Sequence, residues 1–420
     1  MGCSDPERAA LGRRRRRQRL TGSSVDGCAI RTATEADLPQ LSALLAERGD
    51  EADAEDLMLV VGDPDEGLDA VIVAVDGDRV VSTATLLHET ASIGGIDVPT
   101  GQVEMVATAP SHEGRGLVRA LMQEAHRRSA ARGDLLQIMV GIPYFYRQFG
   151  YSYAMPIPLA WDVPTAPPVD PAITVREAGT ADIDQMTSLQ EAAQASFDVR
   201  MPHSPGCWRW LAQRSGSTQV VAERGGSIVA TARRTPPDDG VVLGELAGST
   251  EGLRAIVAAD ARHGEVALLE RATTTVDALL DDIAEAPSAP ERSREWFYAR
   301  IPELAPLLDH LRPVLLERFR SSAIGGRHEV LLSSWRSHLR FSIDDDVVTS
   351  VVAGGTEQAP ISKGGSGVPP DAIAPLLLGP FGAGGLESRH GDVLLGRQRD
   401  LMEALFPPVS SDVLTFYLAL

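Results

Sequence analysis

Residues 30–41, IRTATEADLPQL, return at 175–186 as VREAGTADIDQM. Each copy reads as a short strand, a polar cap and an amphipathic helix; in the first, Thr34 stands at the cap and Leu38, Leu41, Leu44 and Leu45 share one face. A strand–cap–helix unit that recurs once implies that the chain builds a similar domain twice. At 420 residues and 43% hydrophobic composition, it has material for two or three packed domains.

Beyond the first copy, AVIVAVDGDRVVSTATLLHE at 70–89 predicts two strands around an Asp76-Gly77-Asp78 turn, and GQVEMVATA continues as a third. Residues 116–132 predict a helix ending at Gly133, LLQIMVGIP at 135–143 a buried strand, and YFYRQFGYSYA an aromatic segment. The order β-α-β-β-β-α-β-α gives an α/β (α+β) architecture with a mixed, mostly antiparallel sheet. Prolines 156, 158, 164, 167, 168 and 171 mark a linker with a boundary near residue 165. The second copy continues with strands near 218–234 and 241–247, but no glycine-rich loop precedes its 253–261 helix. After AEAPSAPE at 284–291, helices near 303–320, strands near 328–352 and a Gly-rich region at 354–385 predict a further α+β domain. The expected division is a basic tail at 1–27 and domains at 28–164, 165–300 and 301–420.

A formal charge of -19 makes the body repel nucleic acid and attract cationic small molecules. Arg13 to Arg17 run against that trend and read as part of a disordered tail. No run of 18 apolar residues and no signal peptide is legible, so a cytoplasmic chain that does not span a membrane is expected. Cys3, Cys28 and Cys207 are odd in number, far apart and without ligand spacing, so neither a disulfide framework nor a zinc site is expected.

MVATAPSHEGRGLVRALM, residues 105–122, is a strand running through a tight loop into a helix. Such a loop aims backbone N–H groups and the positive helix end at one point, which suits a pyrophosphate. Two glycines at a strand–helix turn are more often plain geometry; the meander before them and the aromatic run Tyr144, Phe145, Tyr146, Phe149, Tyr151, Tyr153 after them change that balance.

At these residues the chain resembles the GNAT acetyltransferase superfamily, whose motif A falls on Ser111-His112-Glu113-Gly114-Arg115-Gly116. APSHEGRGLVRALM together with IPYFYRQFGYSYA resembles the enhanced-intracellular-survival (Eis) subfamily of aminoglycoside and lysine N-acetyltransferases. That layout is two GNAT domains, the second without cofactor, followed by a sterol-carrier-protein-like domain. The resemblance implies acetyl-CoA as co-substrate, with main-chain groups of Val106, Ala107 and Thr108 on the pantetheine arm. It implies that Gly114, Arg115, Gly116, Leu117, Val118 and Arg119 hold the diphosphate, Arg115 and Arg119 being the charge partners. Gly141 and Ile142 would line the gap between two strands, Tyr146 would be the general acid, and the terminal carboxylate on Leu420 the general base. No metal is implied, and relatives are hexameric, so a homo-oligomer is expected. Ser111 stands where the general motif has Arg or Gln, and Glu113 where closer relatives carry arginine; the latter puts a negative charge beside the diphosphate or out in solvent.

The acidic stretch 49–56, GDEADAED, would either collect a cationic amine or form a solvated loop. His88, His112 and His126 are scattered and none is expected as a base, while Tyr146 without the motif around it reads more readily as a core aromatic than as an acid. The function expected is acetyl transfer to a primary amine: aminoglycoside-like, lysine or another small amine. Transfer of a longer acyl group and a non-catalytic acyl-CoA or lipid-binding module are the alternatives.

Overall fold

The computed structural model describes residues 24–49, 51–235, 240–286 and 295–414. Cys3, the arginine run and Leu420 lie outside them.

The first unit runs β1 (Ser24–Val25), β2 (Cys28–Thr32), α1 (Leu38–Arg48), α2 (Glu51–Gly62), β3 (Val71–Asp76), β4 (Arg79–Ile93), β5 (Ile96–Thr108), α3 (Leu117–Arg132), β6 (Leu136–Met139) and β7 (Ser152–Pro156). β1 to β5 are antiparallel neighbours and β6 lies parallel to β5, the mixed α+β sheet expected. Asp76 pairs with Arg79 around the expected turn, where Gly77 takes φ 63. A side chain would strain that left-handed backbone.

The repeat is legible atom by atom. Arg31 bridges Asp37 at 2.6 Å, and Arg176 bridges Asp182 at 2.7 Å. The same carboxylates each accept from the backbone at the strand–helix corner, Thr34 N and Gly179 N, at 2.8 Å. The Thr34 hydroxyl donates to Asp37 rather than capping the helix itself. Arg31 holds the Asp37 carboxyl well below the carboxylate range, and Arg176 lowers Asp182 to about 2.

The second unit comprises β8 (Ala160–Asp162), β9 (Ile173–Glu177), α4 (Ile183–Gln194), β10 (Val199–Met201), α5 (Pro205–Leu211), β11 (Thr218–Arg224), β12 (Ser227–Thr235), β13 (Val241–Gly248), α6 (Thr250–Ala261), β14 (Val266–Leu269) and α7 (Thr274–Ile283). Its sheet order is β8-β14-β13-β12-β11-β9, so the chain has already entered this sheet at Ala160, ahead of residue 165. Both units carry a bulge at the matching place: the β4–β5 register slips between Thr83 and Thr85, and the β12–β13 register between Thr231 and Arg233. Met105 and Glu245 there take φ 52 and 53.

The strand β15 (Trp296–Arg300) falls within the expected 165–300 domain yet leaves the second unit and inserts between β6 and β7 of the first sheet, antiparallel to both. The remainder is α8 (Leu304–His310), α9 (Arg312–Arg320), β16 (His328–Ser333), β17 (His338–Ile343), β18 (Val352–Gly354), β19 (Ser366–Gly367), α10 (Ile373–Leu378), α11 (Gly382–Arg389), α12 (Arg399–Leu405) and β20 (Ser411–Val413). Its core is continuous with the first sheet, Leu376, Leu377 and Phe406 sharing a cluster with Leu136, Ile138 and Phe297. β20 pairs in parallel with β10, which pairs antiparallel with the far end of β4 at Ser92 and Ile93. Buried Arg271 ties this strand down, bonding Asp412 at 2.7 Å, Gln190 at 2.7 Å and the Leu246 carbonyl at 2.9 Å. Fully bonded on this side, the buried ion pair leaves little uncompensated charge. Among the described residues, no helix is long and apolar enough to cross a membrane.

Candidate active site

β5 and β6 pair only where Thr100–Gln102 faces Leu136–Ile138. β5 runs on to Thr108 whereas β6 ends at Met139, so the two strands part and the β5 edge at Val106–Thr108 is left without a strand partner on that side. A free strand edge can take an extended ligand through main-chain hydrogen bonds.

Beside this opening lies a cavity of about 530 Å³ lined by Val106, Thr108, Gly114, Gly116, Leu117, Val118, Arg119, Ile142 and Tyr146, nine of the residues expected from the sequence. Ala107 points instead into the core under α1, consistent with a main-chain role. The α3 N-terminus opens on this cavity with Gly116 as its cap at φ 78, preceded by Gly114 at φ 74, and no side chain caps the helix. In the second unit, Ser249 accepts from the Gly252 N–H at 3.1 Å and seals the α6 terminus. The first helix therefore offers bare N–H groups to an anion, and the second has spent one on its own serine. Gly114→Asp, which adds a side chain at a left-handed backbone and a carboxylate at the helix end, is expected to weaken CoA binding about tenfold or more, as a penalty of roughly 1.4 kcal/mol would. Calorimetric titration with CoA checks this, and an unchanged affinity would remove the loop from the site.

The cations around the cavity differ from those expected. Arg119 bonds Gln148 at 2.7 Å and lies over the Phe149 ring at 5.3 Å. Arg115 is turned away: its guanidinium bonds the Asp26 side chain, and the Asp26 carbonyl at 3.0 Å, so it is not aimed at the loop it belongs to. Arg48, at the end of α1, lines the cavity and pairs with Glu113 at 2.5 Å. The negative charge of Glu113 is thus matched by an arginine supplied from another element.

Tyr146 sits buried in a box of rings, with Phe145 at 5.1 Å, Tyr298 at 5.8 Å, Phe149 at 6.2 Å and Tyr151 at 6.4 Å. Gly141 acts from beneath rather than lining the cavity, for a Cβ there would meet Tyr146 Cε2 at 2.4 Å. Tyr298 comes from β15 and lies 3.1 Å from both the Ile142 carbonyl, to which it donates, and the Tyr153 hydroxyl. Burial, and then the charge of Glu104, push the Tyr146 phenol well above its ordinary range, so it keeps its proton at neutral pH.

Glu104 is the group that sequence reasoning missed. Buried at the parting of β5 and β6, it accepts from the Val140 N–H and from Gln102 Nε2 at 2.8 Å. Burial lifts it to about 8 against those two donors, with Asp53 adding to the rise. A carboxyl poised there can change protonation state under working conditions.

From Glu51 onward the acidic stretch is helix α2, not a loop. Asp56 is buried and accepts from Trp210 Nε1 at 2.9 Å, so it docks the second unit and cannot meet a ligand freely. His88 pairs with Glu66 at 3.0 Å, and His126, lowered to about 4 by burial, lies 3.3 Å from the Tyr151 hydroxyl. His112 lines the cavity but bonds Ser111 and Asp76. Leu420 lies outside the described residues.

Residues 29–154 match the acetyltransferase (GNAT) domain family. A curated relative, an uncharacterized N-acetyltransferase of Streptomyces avermitilis, is 30% identical over 181 residues, 39% of this chain and 44% of its own length. The chain thus spans less than half of that relative. A GCN5-related N-acetyltransferase from Anabaena variabilis superposes with TM-score 0.68 at 16% identity, over 92% of this chain and 99% of its own. Eis1 from Mycobacterium abscessus superposes with TM-score 0.60 at 18% identity, over 93% and 100%. At such identities the two structures establish a shared fold extending across all three units.

Proposed function

We propose that this protein transfers the acetyl group of acetyl-CoA to a primary amine in the 103–151 site, as an Eis-like N-acetyltransferase. The observation that carries this is the parting of β5 from β6 directly beside an uncapped, glycine-led helix terminus. The pantetheine arm lies along the Val106–Thr108 edge, and the diphosphate meets the Gly114–Arg119 N–H groups with Arg119 and Arg48 as counter-charges. The neutral amine attacks the thioester carbonyl, the C–S bond breaks, the sulfur takes a proton from Tyr146, and the proton shed by the newly acylated nitrogen restores the phenol. Glu104 accepts the proton that the ammonium gives up.

The third unit is proposed as sterol-carrier-like, and the protein as a cytoplasmic homo-oligomer that binds neither nucleic acid nor membrane. A cationic acceptor such as an aminoglycoside or a lysine side chain suits a chain with a formal charge of -19.

The test incubates the full chain with acetyl-CoA and a panel of an aminoglycoside, a lysine peptide and a polyamine, reading free thiol. Amine-dependent thiol release is expected. Tight CoA binding without release would make the chain an acyl-CoA-binding module, and release with longer acyl thioesters alone would move the donor.

A further inference from the structure

Cys28 and Asp76 occupy facing strands, one residue pair beyond the Ala29–Val75 pairing of β2 with β3. His112 comes from the loop between β5 and α3 and reaches the same spot: its Nε2 lies 3.1 Å from Asp76 Oδ2. The thiol, the imidazole nitrogen and a carboxylate oxygen all lie within 4.8 Å of one another. Because these residues are far apart in sequence, a search for closely spaced ligands does not see them.

We propose that Cys28, Asp76 and His112 form an open three-ligand site for Zn²⁺. A thiolate, an imidazole and one carboxylate match the donor preferences of zinc, whereas Mg²⁺ and Ca²⁺ favour all-oxygen sets. Metal–ligand bonds of about 2.0–2.3 Å in a tetrahedron place ligand atoms roughly 3.3–3.6 Å apart. The histidine–aspartate distance is already near that range, and Asp76, exposed at the end of its strand, can close on the thiol. Cys28 and His112 are buried, so the ion would have two fixed ligands, one adjustable ligand and a fourth position open to water.

Two surrounding features suit a cation. Ser111 Oγ lies 2.9 Å from His112 Nδ1. A serine hydroxyl can donate to that nitrogen or accept from it, so it supports the tautomer whose Nε2 lone pair is free for metal. The charges nearby are Asp26, Asp76 and Arg115, which acts on the thiol but is engaged with Asp26. They sum to one negative charge before the thiol ionises. Binding would displace the thiol proton to solvent and form the Zn–S bond, releasing one proton per ion.

The ion would bridge the β2–β3 rim to the loop carrying Ser111–Gly116, coupling its occupancy to the shape of the helix terminus at the cavity. That coupling rests on the proposed CoA reading; the metal site does not. The experiment strips the full chain of metal, titrates Zn²⁺ against a chromophoric chelator, and records Co²⁺ spectra as a probe of sulfur ligation. One equivalent of zinc and a near-ultraviolet thiolate-to-cobalt band are expected. Cys28→Ser should lose the band and bind zinc at least about tenfold more weakly. Asp76→Asn, a change at an exposed side chain, should weaken zinc while melting like the parent. A parent protein without the band, or a Cys28→Ser protein that keeps the band or binds zinc as tightly, overturns the site; should Cys28→Ser not fold, undiminished zinc affinity in Asp76→Asn does so. Metal binding that leaves CoA affinity unchanged overturns only the coupling.

Discussion

Tyr146→Phe is expected to fold, to bind acetyl-CoA as tightly as the parent, and to turn over on the order of 10²-fold more slowly. The ring packing survives because phenylalanine fills the same space between Phe145, Phe149, Tyr151 and Tyr298 and over Gly141. Among the described residues the Tyr146 hydroxyl bonds to no partner, so its removal orphans none of them. What is lost is a proton donor at the cavity wall. A donor needed only as the C–S bond breaks affects kcat and kcat/KM equally and leaves cofactor affinity alone. Steady-state kinetics with the best amine of the panel, beside a CoA titration, makes the comparison. Parental turnover would return Tyr146 to the role of a core aromatic.

The parts of this site that were legible in the sequence are those made by neighbours along the chain. The strand–cap–helix repeat depends on an arginine and an aspartate six residues apart, and it recurs at the second copy with the same bonds. The loop was legible because Gly114 and Gly116 occupy left-handed backbone that other residues rarely adopt. Tyr298 was not, since β15 returns to the first sheet from far downstream and no local pattern announces a strand insertion. Arg48 reads as an ordinary charged helix end until the fold sets it opposite Glu113. Arg115 carried the expected motif position, but its direction was decided by Asp26, which the motif does not include. Helix α2 looked like a solvated loop because its carboxylates hide a docking face: Asp56 is one of them, and its partner Trp210 lies in the second unit. Glu104 gave a faint signal, a single acid in the run Val103, Glu104, Met105, Val106. Its chemistry arises from the parting of two strands, which no stretch of sequence displays.

Glu104→Gln tests the candidate base and carries a pH signature. If Glu104 takes the ammonium proton, parental kcat/KM should climb through about pH 8 as that carboxyl ionises and then level off. The glutamine variant should run on the order of 10²-fold more slowly and lose that limb. With a cationic amine bound beside it the carboxylate is favoured, so the kcat limb should lie at lower pH than the kcat/KM limb. Stability supplies an independent readout whose sign follows from linkage. The folded protein holds the Glu104 proton to about 8, against a model value of 4.5, so between those limits the native state binds more protons than the unfolded chain. Its contribution is therefore fully present below the unfolded value and lost as pH rises through the folded one. Glutamine does not titrate, so the melting temperature of the variant should gain on that of the parent between about pH 5 and about pH 8. A variant that shows this gain but keeps parental turnover would place Glu104 in the fold and not in the reaction.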